Sequence, residues 1–243
     1  TFMSAAILIF DAKHVFVKDK ISGQDLFTPF RVDFYNKFVS DRLKHLIQEN
    51  VIQKGIDIEE ILFHSNEGIL VPSEIYNLDK KEDYFRLNYS EIIENHIVVD
   101  EKIQSIEAFL ISSQPKWFSA FCVENLPQTP MNNSSKKYLD KVLETDKGEN
   151  DIHILLKSDS FDIIKLQNQK LYSFNCIAYD TMTDVIYFLI AHLNKFPTEA
   201  KSAILFGREK DILEVKTLFS KIEDLKNISL TTKNEKQLIQ FLA

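Results

Sequence analysis

"DIHILLKSDSFDIIKLQNQKLYSFNCIAY" (Asp151–Tyr179) contains three apolar-rich runs separated by two short polar turns. Each run is eight to ten residues long and rich in Ile, Leu, Phe and Tyr, which reads as three strands of an antiparallel meander. The next stretch, "TMTDVIYFLIAHLNKF" (Thr181–Phe196), opens on Thr and Asp, good helix-capping residues. Its apolar side chains cover most of the circumference, so it is expected to lie flat on the sheet. A strand "SAILF" (Ser202–Phe206) and Gly207 lead into "KDILEVKTLFSKIEDL" (Lys210–Leu225), where Ile212, Val215, Phe219 and Ile222 recur at helical spacing. "NISL" (Asn227–Leu230) and "NEKQLIQFL" (Asn234–Leu242) add a last strand and helix.

Working outward, the first half begins in the same order. "SAAILIF", "HVFVKD" and "DLFTPFRV" read as strands. "FYNKFVSDRLKHLIQENVIQKG" reads as a helix, with Tyr35, Phe38, Val39, Leu43, Leu46 and Ile47 on one face and Gly55 as its stop. "IEEILFHS" is a fourth strand. The pattern is then interrupted by "GILVPSEIYNLDKKEDYFRLNYSEIIE", a strand with one or two short helices, and by the strands "HIVVDEK" and "SIEAFLIS". "PKWFSAF" is a proline-started helix, "ENLPQTPMNN" is loop-like, and "SSKKYLDKVLET" is a helix leading to "DKGEN". That last pentapeptide is the expected boundary, giving subdomains 1–147, which carries the insertion, and 148–243.

The expected class is therefore α/β (α+β), with strand–strand–strand–helix–strand–helix repeated and mixed sheets. A ribonuclease-H-like unit has this βββαβα order, and two in tandem resemble the actin-like ATPase fold. Topology of this kind does not fix function.

Composition narrows the function. Hydrophobic residues make up 44% and charged residues 27%, the balance of an ordinary globular chain able to bury a large core. The net charge of −7 and only four arginines (Arg31, Arg42, Arg86, Arg208) argue against a nucleic-acid surface. With 5 glycines, glycine-rich phosphate cradles are not expected. Cys122 and Cys176 lie among apolar neighbours and read as buried free thiols. The six histidines show no metal-ligand spacing, and no nucleophile-elbow or phosphate-loop motif occurs. No apolar run reaches the ~18 residues of a membrane span. "TFMSAAILIF" lacks the features of a signal peptide and reads as a first strand, so the cytoplasm is the expected compartment.

An active actin-like ATPase grips its phosphates with two hairpin turns, each carrying an aspartate and glycines. The first counterpart here is "IFDAKHVF", with Asp11 in place but Ala12 and Lys13 where glycine is expected. The second is "LLKSDSFDII", with Ser158, Asp159 and Ser160 and no glycine. Asp11 and Asp159 fit two roles, positioning magnesium or serving as ordinary turn residues, and the second is favoured because a carboxylate beside a triphosphate is repulsive unless a metal intervenes. "AILFGREKDI" (Ala203–Ile212) has the strand–glycine–helix form that meets adenine in such proteins, with Gly207 followed by Arg208. A two-metal nuclease would need Asp11, Asp159 and Asp162 gathered together, and Asp11 belongs to the other repeat.

The chain resembles a bacterial domain-of-unknown-function family, number 3822. The resemblance is carried by "VPSEIYN" (Val71–Asn77), "YFRLNY" (Tyr84–Tyr89), "IEAFLIS" (Ile106–Ser112) and the run from Asp151 through "AILFG". It implies an actin-like ATPase fold and no assigned activity. More distantly, the second half is similar to pilus-assembly and cell-division members of the superfamily, in which an Asp-Ile-Gly turn stands where this chain has Lys157-Ser158-Asp159-Ser160. The expectation is a non-catalytic scaffold or protein-interaction module without a cofactor. The alternative is an ATPase or small-molecule kinase using Mg-ATP.

Overall fold

A computed structural model describes residues 5–32, 39–92, 94–145, 151–195 and 200–242. The meander forms as expected: β9 (Asp151–Leu156), β10 (Ser160–Gln167) and β11 (Lys170–Ala178) pair antiparallel in sequence order. In the first half β1 (Ala5–Phe10), β2 (His14–Asp19) and β3 (Phe30–Arg31) do the same. The third strand is much shorter than "DLFTPFRV" suggests, because Pro29 has no N–H to donate to a ladder.

Two five-stranded sheets result. With β4 (Asp57–Phe63) and β8 (Met131–Asn133), the first has the order β3-β2-β1-β4-β8. With β12 (Ser202–Gly207) and β13 (Ser229–Asn234), the second has the order β11-β10-β9-β12-β13. In each, two antiparallel neighbours flank the first strand's outer side, and the last two strands join in parallel. These are two copies of one mixed topology.

The helices repeat as well. α1 (Val39–Ile47) continues into a wider turn at Gln48–Ile52, and the helical path ends before Gly55, whose φ of +66° suits a residue without a Cβ. Tyr35 and Phe38, expected on the same helix, lie outside the described residues, as does the boundary at 146–150. α2 (Lys81–Tyr89) belongs to the insertion, in which β5 (Gly68–Pro72), β6 (His96–Ile103) and β7 (Ala108–Pro115) form a sheet of order β5-β7-β6. α3 (Lys116–Asn125) and α4 (Ser134–Thr145) complete the first half; α5 (Met182–Lys195), α6 (Glu209–Phe219) and α7 (Glu235–Leu242) complete the second.

Both faces of the central strands are covered, so they read as continuous apolar runs. Leu8 and Phe10 pack with Leu43 of α1 and Phe118 of α3. Ile154 and Leu205 pack with Val185 of α5 and Val215 of α6. Between the sheets, Ile7 and Ile9 share a core with Leu155 and Phe206, filled by Tyr138 and Leu139 of α4 and Leu238 and Ile239 of α7. This middle layer brings the tips of the two hairpins together. Cys122 and Cys176 are both free and buried.

Candidate functional site

The two hairpins are closed by equivalent hydrogen bonds. The Asp11 N–H donates to the His14 carbonyl at 2.8 Å, and the Lys157 N–H donates to the Ser160 carbonyl at 2.9 Å. Phe10 pairs with Val15 in one, and Leu156 with Phe161 in the other. Positions 11–14 therefore match 157–160, and the counterpart of Asp11 is Lys157. Asp159 matches Lys13.

The tips meet directly. The Ser158 hydroxyl donates to Oδ2 of Asp11, while Oδ1 of Asp11 accepts from the Ala12 N–H at 2.6 Å. Asp11 is buried, Lys13 is exposed, Ser158 and Asp159 are half-buried and Ser160 is fully buried. Burial pushes the Asp159 carboxyl above its ordinary range, the negative Asp11 adds to this, and Lys157 opposes it. The two tips thus meet with Ser158 bonded across the junction, and Asp159 feels the charge of Asp11.

Lys157 turns inward. Its ammonium and the Asp162 carboxylate are both fully buried and lie 2.7 Å apart. The same Nζ donates to the Ser65 carbonyl at 2.7 Å and to Ser135 Oγ at 3.0 Å, and lies 3.4 Å from Cys176 Sγ. Burial alone would lower this lysine, but Asp162 and the neighbouring thiol outweigh it and hold the ammonium above its usual range. Burial pushes the Cys176 thiol up, so it remains protonated. One cation thereby ties the second hairpin to the end of β4, the start of α4 and β11. Tyr179 braces the turn from outside: its hydroxyl donates to the Lys157 carbonyl at 2.6 Å and its N–H to the Asp159 carbonyl at 3.0 Å. His64, whose N–H donates to the Phe10 carbonyl at 2.8 Å, is pushed down to about 4, chiefly by burial, and is neutral near pH 7.

Gly207 ends β12, opposite Asn234 of β13. A Cβ there would lie 2.9 Å from Leu156 Cβ. Arg208 is the N-terminal cap of α6, and its Nε donates to Asp211 Oδ2 at 2.6 Å. The Arg208 guanidinium is thus already engaged by a carboxylate from the first turn of α6. Between these groups lies a cavity of about 20 Å³, lined by Asp11, Ser158, Leu156, Gly207 and Arg208 among others. That is space for about one water molecule. The anchoring role of Lys157 was not legible beforehand. Its signal is a lysine closing an apolar strand five residues before an aspartate, which a tight hairpin brings back beside it.

Among solved structures, a protein of Bacteroides thetaiotaomicron with an actin-like ATPase fold and unknown function matches 99% of this chain and 96% of its own, at a TM-score of 0.79 and 16% identity. A PilM-PilN type IV pilus biogenesis complex matches over 97% and 90%, with a TM-score of 0.58 and 11% identity. The ethanolamine utilization protein EutJ of Carboxydothermus hydrogenoformans matches over 98% and 87%, at 0.51 and 6%. The fold is the actin-like ATPase fold. No curated protein sequence matches significantly. Among the described residues no helix is long and apolar enough to cross a membrane. Residues 22–227 match the family described as "Protein of unknown function (DUF3822)", and the chain belongs to that family.

Proposed function

We propose that this protein is a non-catalytic actin-like scaffold that works by binding a protein partner. The observation that carries this is the closed junction of the hairpins, where Ser158 is hydrogen-bonded to Asp11 and Lys157 takes the position of the second aspartate. A triphosphate needs open space between two backbone cradles and a metal held by carboxylates. Here the junction holds a cavity of about 20 Å³, the second cradle has a lysine committed to Asp162, and neither turn contains glycine. The residues present do not fit Mg-ATP, and no catalytic step is assigned to them. A protein partner is in keeping with the PilM-PilN complex, whose similarity extends over 97% of this chain.

Calorimetry and thermal melting with Mg-ATP test the proposal. No binding heat and no melting shift are expected at millimolar Mg-ATP. A ligand at a hundredfold excess over its dissociation constant stabilises by ~2.7 kcal/mol. A shift of that size, removed by Asp11→Ala, would overturn the proposal in favour of an ATPase or small-molecule kinase.

A further inference from the structure

A second cavity, of about 600 Å³, shares no residue with the hairpin junction. It lies where three parts of the molecule converge: the insertion sheet, helix α4 and the β10–β11 turn. Its apolar lining comes chiefly from Leu70, Ile106, Ala108, Leu143 and Leu171. Both size and lining are those of a small-molecule pocket, for which ~300–1,000 Å³ is typical.

The rim is built rather than loose. Asp140 Oδ1 accepts from the N–H groups of Gln104 and Ser105 at 2.8 and 3.1 Å and from Ser105 Oγ at 3.1 Å. Lys136 holds the other Asp140 oxygen at 3.1 Å. The turn preceding Ile106 is thereby fixed on α4. On the opposite rim, Asn168 and Gln169 adopt φ values of +51° and +62°, left-handed backbone that two-residue hairpin turns usually give to glycine. That turn sets Lys170 at the mouth. The rim charges are unequal. Glu107 is paired with Lys102 at 3.3 Å, whereas Lys170 has no ion-pair partner among the described residues.

We propose that this cavity binds a small amphiphilic carboxylate, with its apolar body against Leu143 and its neighbours and its carboxylate at Lys170. An apolar floor favours the hydrocarbon, and a charge-assisted contact at the mouth favours an anionic head over a neutral or cationic one. This site is independent of the hairpin junction, so its occupancy and nucleotide binding can be tested separately.

The test uses dodecanoate, dodecanol and dodecylammonium on the whole chain, each well below its micelle-forming concentration, followed by calorimetry and melting. Dodecanoate is expected to bind about tenfold more tightly than dodecanol, with dodecylammonium weakest. Lys170→Glu, at an exposed turn, should lose at least that factor, and Leu143→Trp should abolish binding by filling the cavity. Absence of dodecanoate binding overturns the proposal. So does equal affinity for the three head groups, or unchanged affinity in Lys170→Glu. If Leu143→Trp does not fold, the head-group series and Lys170→Glu still decide.

Discussion

Leu156 occupies the space that a side chain at position 207 would need: a Cβ on Gly207 would lie 2.9 Å from the Leu156 Cβ and 3.2 Å from its Cδ1. The two residues sit on adjoining parallel strands, β9 and β12, whose register runs from Ser202 opposite Asp151 to Phe206 opposite Leu155. The glycine of "AILFGREKDI" is thus accounted for by close packing between strands. A Cβ attached to backbone cannot swing aside, so Gly207→Ala forces the strands apart. Overpacking of this kind costs about 1–3 kcal/mol. Urea denaturation of Gly207→Ala should register a loss in that range, with no nucleotide needed to see it. A variant as stable as the parent would return the glycine to a ligand-binding explanation.

Lys157 and Asp162 form a buried pair whose members depend on each other. Removing one partner of such a pair leaves an uncompensated charge in the interior and costs about 3–5 kcal/mol. Lys157→Met should therefore be strongly destabilising. The double variant Lys157→Met, Asp162→Leu should recover most of the loss, since a well-packed apolar pair replaces a buried ion pair at little cost. Chemical denaturation of Lys157→Met, Asp162→Leu and the double variant gives the coupling directly. Additive losses would mean that the ammonium is held mainly by Ser65 and Ser135, its other partners.

These two cases mark what the residue pattern can and cannot convey. The repeated topology was legible because strands buried on both faces are continuous apolar runs and the helices carry regular periodicity. β8 was not, because "PMNN" has no strand-forming residues; it is held by a single parallel neighbour, with Asn132 Nδ2 donating to Glu60 Oε1 at 2.9 Å. The turn residues locate the hairpins, but residue type alone pairs aspartate with aspartate. The closing hydrogen bonds match Asp11 with Lys157 instead. Which residues of two turns correspond is a matter of register, and register is set by partner strands remote in sequence.

His192 supplies a pH dependence with a definite sign. Its ring is buried, with Nε2 2.9 Å from Ser173 Oγ and Nδ1 3.0 Å from Asn175 Nδ2. Burial, then the nearby Lys165 and Lys195, push it down from 6.5 to about 4. Between those values the unfolded chain binds the proton and the folded one does not. The stabilisation is therefore complete above pH 6.5 and is lost as pH falls toward 4, by about 3 kcal/mol at most. Glu67 and Glu101, raised by burial, act in the opposite direction over part of this range. The measurement is accordingly the difference between the parent and His192→Gln, followed by urea denaturation from pH 7 to pH 4. The variant should lose less stability on acidification; parallel curves would mean that His192 takes up its proton in the folded chain as readily as in the unfolded one.

The two halves, which we propose to divide at 147/148, should prove to be structural repeats that fold together. Tyr138 on α4 lies edge-on to Phe206 of β12 and to Phe241 of α7, with ring centroids 5.6 and 5.9 Å away. Phe206 and Phe241 are themselves 5.2 Å apart. A helix of the first half thus packs into a core that both halves share, and the Lys157 ammonium is bonded to Ser65 and Ser135 of the first half. Separated fragments 1–147 and 148–243 would each expose this layer to water, and each should lack a cooperative melting transition. Mixing them should restore one, because the missing face is then supplied. Tyr138→Ala in the whole chain should cost about 3–5 kcal/mol, the usual effect of deleting a buried aromatic ring. It should also weaken fragment association to a similar degree. Independent cooperative folding of either fragment would show that the shared core is an interface between domains rather than the centre of one.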